Sequence, residues 1–119
     1  MGVGGMQGAI VHHWSGQVPG REAASMQLMN DTNAYCDKSV ADGKITDYAW
    51  YLSGQGGINL LIIRGEMEQL STMASSPEML VINTRAMLIN TDLSWGYYAT
   101  GDSVVAMADL FYETAAQLT

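Results

Sequence analysis

Charge is scarce in this chain: only 14% of its 119 residues are Asp, Glu, Lys or Arg, against about a quarter in ordinary soluble proteins. A surface so poor in charge leaves apolar area for a partner to cover, which favours self-association. Basic residues are scarcer still. Arg21, Lys38, Lys44, Arg64 and Arg85 stand against twelve acids, for a net charge of −7. Scattered as they are, they form no patch for a phosphate backbone, which argues against nucleic-acid binding. The single cysteine, Cys36, rules out an internal disulfide and falls in a helical pattern, where a small thiol is an ordinary core residue. No run approaches the roughly 20 apolar residues of a membrane span. The N-terminus lacks a basic segment followed by an apolar stretch and a cleavage site, so no membrane association and a cytoplasmic location are expected. The Gly-x-Ser-x-Gly elbow of serine hydrolases is absent, and no histidine follows His13.

What is present is apolar and patterned. With 48% hydrophobic residues the chain has the size and content of one domain. The glycine-rich opening over 1–7 reads as a flexible leader, leaving a single domain over 8–119. Four runs, over 8–15, 45–53, 58–65 and 93–100, read as strands. Ala9-Ile10-Val11, Tyr48-Ala49-Trp50-Tyr51-Leu52 and Leu60-Leu61-Ile62-Ile63 leave neither face polar, so both faces of the sheet require cover. Helical periodicity fills the intervals. From 21 to about 41, Leu28, Met29, Thr32, Tyr35, Cys36 and Val40 form one stripe, closed by Asp42-Gly43. A short piece over 67–74 is broken by Ser75-Ser76-Pro77-Glu78, which starts a second piece over 77–88 with Leu80, Val81, Thr84, Met87 and Leu88 inward. Asp102 reads as an N-cap for a C-terminal helix with Val104, Ala108, Phe111, Ala115 and Leu118 on one face. Gly54-Gln55-Gly56-Gly57 joins two strands, so it reads as a hairpin loop and not as a phosphate cradle, which would have to lead into a helix.

His12 and His13 are the candidate catalytic residues. On a strand their rings point to opposite faces, so they cannot share one metal ion, and no metal site or cofactor is expected. One of them should border a pocket beneath the helices, as a buried imidazole with a hydrogen-bond partner or as a general base. Trp14, Trp50, Trp95 and Tyr97 lie on strands and are candidate ligand-binding residues, able to line a flat apolar pocket or to serve as core and interface. Arg85, on the second helix, could orient a carboxylate or enolate, or be ion-paired at the surface. The methionines at inner helical positions would fill gaps or make a pocket plastic.

The order strand, helix, two strands, broken helix, strand, helix is a ferredoxin-like βαββαβ arrangement: α+β, an antiparallel sheet with helices on one face, plus a C-terminal helix. With the other sheet face apolar, the pattern resembles the dimeric α+β barrel superfamily, in particular its small uncharacterised bacterial members. The likeness covers residues 8 to about 118. It rests on the strand order, the broken helix of the form Gly65-Glu66…Ser76-Pro77-Glu78…Arg85-Ala86-Met87-Leu88, and the Trp95-Gly96-Tyr97 strand. The resemblance implies a homodimer through the sheet face, with the C-terminal helix covering an edge or the partner, and a ligand site between sheet and helices. The superfamily includes cofactor-independent monooxygenases, haem-degrading oxygenases, isomerases and members of no known activity. The haem-binding histidine of the second helix is missing here, which argues against haem. The expected function is therefore a homodimer binding a small apolar or aromatic molecule. The alternatives are a cofactor-independent monooxygenase or isomerase of an enolisable aromatic compound, and a structural or interaction dimer without a ligand.

Overall fold

The computed structural model describes residues 6–118. In chain order these form β1 (Gln7–Trp14), β2 (Gly16–Gln17), α1 (Glu22–Ala41), β3 (Asp47–Tyr51), β4 (Asn59–Glu66), α2 (Met67–Ala74), α3 (Pro77–Ile89), β5 (Asn90–Thr91), β6 (Ser94–Ala99) and α4 (Asp102–Ala116). The main sheet has the order β3-β4-β1-β6, with every neighbouring pair antiparallel. This is the expected ferredoxin-like α+β fold, followed by a further helix. The short β2–β5 ribbon, Gly16 opposite Thr91, was not legible in the sequence.

Strand registers decide what shares a face. Ile10 lies opposite Ile63 and Tyr97, and His12 opposite Leu61 and Trp95, while Tyr48 and Trp50 pair with Ile63 and Leu61. This face meets the helices: Ile10, Trp14, Leu61 and Ile63 pack with Cys36 of α1, Leu70 and Met73 of α2, and Met79 of α3. The opposite face presents Val11, His13, Leu60 and Ile62, all half-buried, with Tyr51 and Tyr98 exposed. The expectation of strands apolar on both sides is met, and within the chain only one side receives a full helical layer.

Local chemistry sets the boundaries. Ser76 caps α3, its Oγ accepting from the Met79 N–H at 3.2 Å, with Pro77 in the first turn. Gly43, at φ 71°, ends α1 in the left-handed region, where a side chain would be strained. The expected leader over 1–7 lies outside the described residues for positions 1–5. Gln7 is already in β1, and the Met6 carbonyl accepts from the Met67 N–H at 2.8 Å. β3 is shorter than the expected 45–53, since only 47–51 pair with β4.

Three expectations about helix faces are corrected. In α3 the inner row is Met79, Asn83, Ala86 and Ile89 with Ile82 beside it, while Leu80, Val81, Met87 and Leu88 are 55–71% exposed. Apolar residues surround this helix on all sides, so hydrophobicity alone does not define its phase. In α1, Ser39 and not Val40 is buried, its hydroxyl satisfied by donating to the Tyr35 carbonyl at 2.8 Å. In α4, Asp102 is the first helical residue and Gly101 the cap. The face of Val104 and Phe111 is open, with Ser103 the only buried residue of the helix, and Leu118 lies past the helix end.

Candidate functional site

A cavity of about 330 Å³ lies between the helix-facing side of the sheet and helices α1 and α3. The sheet contributes His12, Trp14, Trp50, Asn59 and Leu61; α1 contributes Leu28, Met29 and Thr32; α3 contributes Met79, Ile82, Asn83 and Ala86. Gln17, Ser25, Leu52, Ser53 and Asn90 line it further. No Asp, Glu, Lys or Arg is among the lining residues. A larger groove of about 540 Å³ beside α2 is lined by charged groups, Lys38, Lys44, Asp42, Glu66, Glu68 and Glu78.

The walls are fixed by their own contacts. Trp14 and Trp50 meet edge to face, with centroids 6.0 Å apart and planes at 82°. The Trp50 indole N–H donates to Asn33 Oδ1 at 2.7 Å, tying the β3 side of the cavity to α1. Asn59 Oδ1 accepts from the Ser53 N–H at 2.8 Å and its amide donates to the Trp14 carbonyl at 3.4 Å, anchoring the β3–β4 loop. Thr32 is satisfied within α1, donating to the Leu28 carbonyl at 2.7 Å.

His12 is 5% exposed, and its Nε2 lies 3.0 Å from Asn83 Oδ1. An amide oxygen only accepts, so Nε2 carries the proton and donates, and Nδ1 holds the lone pair. Nδ1 is buried with no protein partner. Burial holds the imidazole below its ordinary value of 6.5, an effect the Asn83 bond only partly offsets. His12 is therefore a neutral group at neutral pH, and Trp95 stacks against it at 6.0 Å and 27°.

The candidates singled out in the sequence divide in two. His12, Trp14 and Trp50 line the cavity. His13 sits on the opposite sheet face, where its neighbours across the ladder are Leu60 and Ser94. Trp95 and Tyr97 lie on the helix-facing side of β6 but outside the cavity, 41% and 42% exposed, in edge-to-face contact with each other. Arg85 points away from the cavity and donates to Asp31 Oδ2 at 2.8 Å, joining α3 to α1. This partner holds the Asp31 carboxyl below the usual carboxylate range. Cys36 is in the core and not at the cavity; burial and then the Asp37 charge push its thiol up to about 12. Asn83 was missed, because it becomes visible only once α3 is given its correct phase. Among the described residues no cluster of three or more His, Cys, Asp or Glu could hold a metal ion, and no helix is long and apolar enough to cross a membrane.

No protein-family model matches the chain, and no curated protein matches it either. Solved structures do. Rv0793 from Mycobacterium tuberculosis is 20% identical, with a TM-score of 0.64 over 80% of this chain and 95% of its own. A dimeric protein of unknown function and ferredoxin-like fold from Bacteroides fragilis is 10% identical, with a TM-score of 0.58 over 79% and 96%. A candidate antibiotic biosynthesis monooxygenase from Deinococcus radiodurans is 17% identical, with a TM-score of 0.61 over 78% and 92%. At these identities the likeness establishes the fold that the chain shares with them.

Proposed function

We propose that this protein is a homodimer that binds an uncharged, largely apolar, ring-bearing molecule between its sheet and helices. The observation that carries the reading is the cavity itself: about 330 Å³, walled by Trp14, Trp50 and aliphatic side chains, with no formally charged residue in its lining. That volume is at the lower end of small-molecule sites, which combine apolar walls with a few polar groups that fix orientation. An anion or cation would enter without a counter-charge and keep its desolvation cost. An uncharged hydroxyl or carbonyl instead meets the His12–Asn83 pair. The dimer has two supports: the apolar sheet face opposite the helices, and the description of a similarly folded neighbour as dimeric.

The reading is tested by titrating Trp fluorescence with 2-naphthol and with 2-naphthalenesulfonate. Quenching by the first and not the second is expected, with affinity reduced about tenfold or more in Trp50→Ala. Equal binding of both, or of neither, would sink the neutral-cavity proposal.

Catalysis in the same cavity is the second reading, favoured by His12 as its only imidazole and by neighbours described as candidate antibiotic biosynthesis monooxygenases. In the resting arrangement Nε2 donates to Asn83 and Nδ1 is enclosed. A base role therefore requires that pair to open toward the substrate. Oxygen consumption with an enolisable hydroxynaphthalenone, abolished in His12→Gln while binding persists, would establish it.

A further inference from the structure

Helix α4 buries almost none of its apolar side within its own chain. Val104, Met107 and Phe111 are 49–67% exposed, and Ser103 is the only residue of the helix that is buried. At the helical repeat these three side chains fall within an arc of about 60°, with Asp102, Asp109 and Glu113 on the opposite side. Its contacts with the rest of the fold are chiefly to β1 and β6. A helix of about this length is marginal in water unless packing supports it. The surface of the chain tells the same story. It exposes 7537 Å², whereas a folded monomer of this mass exposes about 6,300 Å². The excess of roughly 1,200 Å² is of the same order as the roughly 800 Å² per partner that a standard interface covers.

We propose that α4 is a docking arm for a second copy of this chain, its Val104–Met107–Phe111 stripe lying on the partner protomer and extending the contact begun by the open sheet face. The inference rests on the homodimer reading above and names the element that completes it. A second copy is the fitting occupant because one chain carries two uncovered apolar surfaces, and a two-fold contact covers both in each protomer at once. A lipid surface does not fit: interfacial helices carry Lys or Arg on their polar side, and the charges of α4 are three carboxylates.

The test compares the full chain with Val104→Asp/Phe111→Asp and with Val11→Glu by analytical ultracentrifugation over a wide concentration range, with amide exchange read along α4. The expected result is a dimer whose dissociation constant rises at least about 100-fold in the α4 variant, with α4 amides that become protected as the dimer forms. These side chains are exposed in the single chain, so the variant keeps its fold. If the α4 variant dimerises like the parent, or α4 amides exchange freely in the dimer, the docking arm is overturned while the sheet-face dimer stands. If only Val11→Glu is without effect, the sheet-face reading fails and the arm survives. A full chain that stays monomeric, or whose α4 becomes protected only on anionic phospholipid vesicles, overturns the arm as proposed.

Discussion

At the scale of single residues, His12 and Asn83 form a hydrogen-bonded pair in the cavity wall. A buried donor on His12 faces a carboxamide oxygen, and the other ring nitrogen has no protein partner. Because burial lowers the His12 value below 6.5, the unfolded chain takes up the proton first as the pH falls. Stability therefore declines from about pH 6.5 downward, by up to about 1.4 kcal/mol per pH unit, until the folded-state value is reached. Thermal unfolding at pH 7.5 and pH 5.5 should show a larger drop for the parent than for His12→Gln; equal drops would refute the assignment. Cys36 gives a second expectation. Fully buried and with its thiol pushed up to about 12, it should resist thiol reagents at pH 8 in the native state and react once denaturant is added. Rapid native labelling would contradict its place in the core.

At the scale of elements, the phase of α3 separates core from surface. Met79 is 1% exposed and its neighbour Leu80 is 55% exposed. Met79→Ala should cost about 2–5 kcal/mol and Leu80→Ala within about 0.5 kcal/mol, as measured by urea denaturation; comparable losses at the two positions would mean the phase is wrong. Close packing also fixes β1 against α2. A Cβ at Gly8 would stand 2.1 Å from Met67 Sδ and 3.0 Å from the Tyr98 carbonyl. Gly8→Ala should therefore destabilise by about 1–3 kcal/mol through overpacking, and the paired change Met67→Ala should recover part of that loss. The α2–α3 break was legible because Ser76-Pro77 is a local signal. The α3 phase was not, because Leu80-Val81 and Met87-Leu88 are as apolar as the residues that face inward.

At the scale of the whole molecule, one face of the sheet carries the cavity and the other is left open. Val11 and Ile62 lie near the middle of that open face, among neighbours that carry little charge apart from the Arg64–Asp47 ion pair. A carboxylate at Val11 would be buried without a partner in a sheet-to-sheet contact. Val11→Glu should accordingly shift a dimer toward monomer in light scattering while leaving the helical content unchanged, and a dimer of parental strength would show that this face is not the contact.

The sequence by itself determined the fold class, the order of strands and helices along the chain, the broken second helix, and a sheet apolar on both sides, because each of these is written in periodicity and local turn chemistry. The tertiary structure alone decided that His12 and not His13 meets the cavity, that Asn83 is its partner, that Trp95, Tyr97 and Arg85 lie outside, and that α4 is left uncovered. These depend on which face of a helix turns inward and on which strands become neighbours. Both are long-range packing choices among nearly equal apolar alternatives, and no local pattern in the chain separates them.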